Sequence, residues 1–139
     1  MLLKQIDHIG ICVNSLGKTL EKYQRLYQAK AVHIESMEMY SARIAFIPVG
    51  EVMVELIEPL VAGKGGIADF LDSHGEGIHH VCYRVNDIDT FVSSMKKADI
   101  KLMFSEPQPG GAGSRIIFLD PSETGNVLTE ITERTKGFF

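Results

Sequence analysis

Hydrophobic positions along the chain follow two periods in turn, and the switches between them mark the predicted elements. Residues 6–13 are rich in β-branched and apolar side chains and predict a strand. Asn14-Ser15 then offers an N-cap for a helix in which Leu16, Leu20, Tyr23 and Tyr27 recur at helical spacing, ending near Ala29. Residues 32–37, 42–49 and 52–57 read as strands, the last two joined by a tight turn at Gly50-Glu51. A Gly-rich connector over residues 59–66 lacks the P-loop pattern and reads as a crossing, followed by a short helix over residues 67–71. The order then recurs: a strand over 78–85, a cap at Asn86-Asp87, a helix with Ile88, Phe91, Val92 and Met95 on one face, and strands over 100–104, 115–119 and 127–131. Pro107-Gln108-Pro109-Gly110-Gly111-Ala112-Gly113 interrupts the second set. It reads as a loop with few anchoring residues, mobile and able to close over a bound group. The tail from Arg134 reads as peripheral, with Phe138-Phe139 available to pack on a partner subunit.

The recurrence extends to individual residues. His8-Ile9-Gly10-Ile11 is answered by His80-Val81-Cys82-Tyr83, and Arg43-Ile44-Ala45-Phe46-Ile47 by Arg115-Ile116-Ile117-Phe118-Leu119 at the same offset. Gly50-Glu51-Val52-Met53-Val54-Glu55 matches Gly125-Asn126-Val127-Leu128-Thr129-Glu130 after a small insertion in the turn over residues 120–124. The expected fold is therefore α+β: two tandem βαβββ modules forming a curved mixed sheet that encloses a metal site. The modules span about residues 4–60 and 76–133 of one domain covering residues 1–139, a length that can bury a core.

Each copy carries one His on its first strand and one Glu on its last. Strand alternation puts His8 on a face with Ile6, Gly10 and Cys12, while Asp7, Ile9, Ile11 and Val13 turn mostly toward the helix-side core. A single strand histidine is more often structural, and a single strand glutamate more often faces solvent. Four such residues at repeat-equivalent positions instead predict a centre in which His8, Glu55, His80 and Glu130 hold one divalent ion. Imidazole and carboxylate together suit Zn, Co, Ni, Mn or Fe. His79 has the opposite parity to His80 and is at most an outer or substrate-side residue, and His33 and His74 read as surface residues.

Composition narrows the alternatives. A net charge of −4 without a basic patch disfavours nucleic acid. No apolar run reaches the ~20 residues of a membrane span, and the opening Met1-Leu2-Leu3-Lys4 leads straight into a strand with no leader pattern. Cys12 and Cys82 lie within apolar runs and read as small core residues, which fits a reducing, cytoplasmic setting.

The paired modules, with Glu55-Leu56-Ile57-Glu58-Pro59, Gly75-Glu76-Gly77-Ile78-His79-His80-Val81 and the Phe118-Leu119-Asp120-Pro121 turn, resemble the vicinal oxygen chelate superfamily, and within it the methylmalonyl-CoA epimerases. The resemblance covers nearly the whole chain. It implies a metal on His8, Glu55, His80 and Glu130, a small-molecule acyl thioester as substrate, proton abstraction beside the thioester with Glu130 as a base, and a homodimer. Two departures stand out. Epimerases of this group carry an acidic residue directly before a Gln-Gly pair leading into the third strand, where this chain has Met39-Tyr40-Ser41, and Glu38 stands one residue earlier as the candidate second acid-base group. Asp120 occupies the place of a family histidine. A glyoxalase-I-like lyase acting on a glutathione hemithioacetal shares the ligand pattern and needs one base only. A non-catalytic binding or resistance module is the alternative from another class. An extradiol dioxygenase fits less well, because four protein ligands leave too few open positions.

Overall fold

Eight strands and three α-helices are formed in the computed structural model, which describes residues 1–134. In chain order they are β1 (Gln5–Cys12), α1 (Leu16–Tyr27), β2 (His33–Met37), β3 (Ala42–Val49), β4 (Val52–Pro59), α2 (Gly66–His74), β5 (Gly77–Arg84), α3 (Ile88–Lys97), β6 (Gln108–Pro109), β7 (Arg115–Leu119) and β8 (Thr129–Glu133). The α+β class and the doubled β-α-β-β-β order stand as expected. The chain divides into two compact units, one of residues 9–79 and one of residues 1–8 together with the described residues from 80 onward. The boundary cuts β1, so its first residues sit with the second repeat.

In the unit of residues 9–79, hydrogen-bonded neighbours run β2-β3-β4 and then the end of β1. The β2/β3 and β3/β4 pairs are antiparallel, with Phe46 opposite Glu55. Val13, Leu16, Ala45, Ile47 and Leu56 form the core, joined by Leu20 and Tyr23 from the apolar stripe of α1. The Ser15 side chain accepts from the Lys18 amide at 3.2 Å, and Glu58 Oε2 accepts from the Leu16 amide at 2.7 Å. These bonds satisfy donors that a helix start leaves open. Gln28 turns left-handed at φ 54° and stops α1 at Tyr27, two residues before the predicted end. Helix α2 is longer than predicted. It ends where Gly75 adopts φ 76°, a conformation that favours glycine, and the next residue, Glu76, accepts from the Asn14 amide at 2.9 Å through Oε2.

In the other unit the neighbours run from the start of β1 through β5, β8 and β7 to β6. β5 and β8 are parallel, and β7 is antiparallel to both β8 and β6. Val85, Ile88, Phe91, Val92, Ile117 and Ile131 make its core. Asp87 caps α3 by accepting from the Thr90 amide at 3.0 Å, while Glu133 Oε2 accepts from the Ile88 amide at 2.8 Å. Glu133 is the repeat counterpart of Glu58. The backbone bonds Val13 N to Ile57 O and Val85 N to Thr132 O, each 2.9 Å, match in the same way. In both copies the last strand thus carries a Glu that caps the helix three residues after a candidate ligand, and an odd spacing sends the two side chains to opposite faces.

Three expectations fail in the second copy. Residues 100–104 do not form a strand: only Leu102 bridges to Leu119, and the Met103 amide reaches Phe118 O at 2.9 Å. The chain then bends away before Pro107, and the edge beside β7 is completed by β6, where Pro109 is tolerated because an edge strand can leave one side of its backbone unbonded. The loop over residues 108–113 is anchored rather than loose, since the Gly110 amide bonds Ser114 O at 2.9 Å and Arg134 Nη1 donates to Gly111 O at 3.4 Å. Arg134 itself is not peripheral, with a side chain only 4% exposed. Phe138-Phe139 lie outside the described residues. A Cβ on Gly110 would meet Ile116 Cγ2 and Ser114 Oγ, both at 2.5 Å. Gly110→Ala is therefore expected to lower stability by about 1–3 kcal/mol through overpacking, read as a lower denaturant midpoint; an unchanged midpoint would contradict the close packing.

Candidate metal centre

Two histidines and a carboxylate meet inside one unit. His8 comes from β1, His80 from β5 and Glu130 from β8, and the parallel β5/β8 register sets Cys82 beside Glu130. His8 Nε2 lies 3.0 Å from His80 Nε2 and 3.1 Å from Glu130 Oε1, and His80 Nε2 lies 4.0 Å from Glu130 Oε2. The three residues are 3%, 5% and 6% exposed. Among the described residues they form a group whose ligand atoms all fall within 4.8 Å of one another. Nitrogen lone pairs and carboxylate oxygens at such distances repel unless a proton or a cation lies between them. Two imidazole nitrogens and a carboxylate converging on one point are a donor set that a divalent ion takes. The donor set and its geometry therefore fit a divalent ion. Phe118, paired across the strands with Glu130, places its ring edge-on to His80 with centroids 5.7 Å apart, and Phe104 in turn meets Phe118 edge-to-face at 6.1 Å.

Electrostatics favour an ionised Glu130. Burial alone would push its carboxyl up, but the His8 hydrogen bond and the charges of His8 and His80 prevail and hold it at about 2. Behind His8 stands Asp7, fully buried. Asp7 Oδ1 accepts from His8 Nδ1 at 2.7 Å and from Arg134 Nη2 at 2.8 Å, while Oδ2 accepts from Arg84 Nε at 2.8 Å and Arg134 Nε at 2.9 Å. Burial would raise this carboxyl too, yet the bonds from His8 and Arg134 and the Arg134 charge take it far below the usual carboxylate range. Asp7, Arg84 and Arg134 were missed by reasoning from the sequence. The available signal was a carboxylate on the core-facing side of an apolar strand, because a buried charge requires partners of opposite sign.

Glu55 is 4% exposed on β4, in the unit of residues 9–79. Glu38 opens a 3-10 turn, Glu38–Tyr40, directly after β2 and is exposed. His79 packs edge-on against Phe70 at 5.0 Å, and His74, exposed, stacks on the same ring at 4.6 Å. His33 is half-buried rather than a plain surface residue, bonded to Glu35 at 3.1 Å. Both cysteines are free and fully buried. Burial pushes the Cys12 thiol up to about 12 and the Cys82 thiol well above its ordinary value.

A sequence model of the Glyoxalase/Bleomycin resistance protein/Dioxygenase superfamily matches residues 7–118. The chain belongs to this superfamily. Among its relatives is the mitochondrial methylmalonyl-CoA epimerase of Bos taurus, 30% identical over 132 residues that span 94% of this chain and 75% of that protein. A solved methylmalonyl-CoA epimerase in complex with methylmalonyl-CoA and NH4+ superposes with a TM-score of 0.90 at 31% identity, covering 96% of each chain. The methylmalonyl-CoA epimerase of Mycobacterium tuberculosis gives a TM-score of 0.91 at 31% identity, covering 97% of this chain and 91% of its own. No helix among the described residues is long and apolar enough to cross a membrane.

Proposed function

We propose that this protein is a metal-dependent epimerase that inverts the carbon between the thioester and the carboxylate of methylmalonyl-CoA. The observation that carries the reading is the buried His8, His80 and Glu130 cluster, in a chain whose relatives include epimerases of that thioester. His8, His80 and Glu130 would hold the ion, with Glu55 as the fourth ligand by its repeat equivalence to Glu130. A divalent ion there supplies fixed positive charge for the negative charge that develops on the thioester oxygen.

The chain's own residues supply the proton chemistry. Glu130, ionised at neutral pH, accepts the proton from the acidic carbon. Inversion needs a second acid-base group to return a proton to the opposite face of the planar intermediate, and Glu38 takes that role. Support for Glu38 comes from the 3-10 turn that interrupts the extended chain at its position. Phe118 and Phe104 limit water beside His80, which preserves the strength of charge interactions in the site. Two buried free thiols are in keeping with the cytoplasm.

The test is incubation of the Co2+-loaded protein in D2O with one C2 epimer of methylmalonyl-CoA. Deuterium at C2 together with the opposite epimer is expected. Exchange without inversion would leave a one-base enzyme, and turnover of a glutathione hemithioacetal would move the assignment to a lyase. Failure to exchange any malonyl-type thioester would overturn the epimerase reading.

A further inference from the structure

The two histidines of the centre are not held alike. His8 follows Asp7, and the position equivalent to Asp7 in the second copy is His79, which packs on Phe70. We propose that Asp7, clamped by Arg84 and Arg134, is a positioning residue that keeps a proton on His8 Nδ1, so that Nε2, beside His80 and Glu130, is the nitrogen that gives up its proton to a cation. The inference rests on the reading of His8 as a metal ligand.

An ionised carboxylate only accepts, so the 2.7 Å contact between His8 Nδ1 and Asp7 Oδ1 needs the proton on Nδ1. Arg84 Nε and Arg134 Nε both donate to Oδ2, and Arg134 Nη2 donates to Oδ1 beside the imidazole. Arginine donors cannot give up their protons, so the carboxylate is locked in place and can serve His8 in one way only. Arg134 also donates to Gly111 O, which ties the same clamp to the 108–113 loop. A carboxylate that orients a ligating imidazole in this manner is worth about 10- to 100-fold in metal affinity.

Asp7→Asn separates orientation from mere packing. Two Nε donors at the Oδ2 position outweigh the single Nη2 donor at Oδ1, so the amide is expected to keep its oxygen at Oδ2 and turn its NH2 toward His8 Nδ1, which then has to accept. The proton moves to Nε2, where it blocks the site. Three measurements are made on the metal-free and Zn2+-loaded protein: Zn2+ and Co2+ dissociation constants, the 15N spectrum of the imidazoles with His8 assigned by His8→Gln, and thermal unfolding. The expected result is an Nδ1–H tautomer for His8 in the wild type, and in Asp7→Asn an Nε2–H signature for His8 alone with metal binding weakened about 10- to 100-fold. If the single variant does not fold, Asp7→Asn combined with Arg134→Gln removes one of the stranded cations and is expected to recover folding without recovering affinity. Wild-type affinity and an unchanged His8 spectrum in either folded variant would overturn the positioning role. A wild-type protein that binds neither ion would instead refute the metal-centre reading on which it rests.

Discussion

Glu130→Gln is expected to lower deuterium wash-in at C2 of methylmalonyl-CoA by about 10^2- to 10^4-fold, the usual contribution of a positioned general base. The substitution is nearly isosteric. Glutamine keeps an oxygen for His8 and His80, so the fold and part of the metal should survive, and the variant separates the ligand role of Glu130 from its role as proton acceptor. A carboxylate held at about 2 is a reluctant base, and the transfer succeeds only if the site stabilises the resulting anion strongly. The measurement is exchange rate and metal content on the same preparation, with Glu38→Gln in parallel. Loss of inversion but not of exchange in Glu38→Gln would fit the two-base scheme. Full exchange in metal-bearing Glu130→Gln would remove Glu130 as the base.

The second large effect concerns the ion. About one divalent metal per chain is expected by elemental analysis after gentle purification, and His8→Ala and His80→Ala should each lose nearly all of it, well beyond the about 10- to 100-fold effect of an outer partner. The two imidazoles lie 3.0 Å apart and are almost fully buried, so neither can be replaced by solvent without opening the core. Removal of either also leaves Glu130 without one of the neighbours that hold its charge. Wild-type metal levels in both variants would sink the centre as assigned.

Much of this architecture was legible because the repeat constrains the chain twice. A strand, a helix and a closing Glu predicted in one copy could be checked against the other, and the period of the apolar positions set α1 and α3 within a few residues. Where the copies diverge, the reading failed. The alternation at Ile100, Leu102 and Phe104 suggests a strand, but Leu102 and Phe104 pack on the core without a continuous ladder, and the turn through Ser105, Glu106 and Pro107 sends the chain elsewhere before β6 meets β7. The clamp on Asp7 was illegible for a different reason. Arg84 and Arg134 are distant in sequence and have no counterpart in the first copy that would have drawn notice. Parity placed Asp7 correctly on the core side; what it could not supply was the identity of the cations.

The boundary that cuts β1 after His8 bears on how such a chain could be divided or assembled. A fragment restricted to the second repeat would retain His80 and Glu130 and their shared strand pairing, yet lack one imidazole and the aspartate behind it. Two half-length chains could restore the missing donor only by lending each other their opening strands.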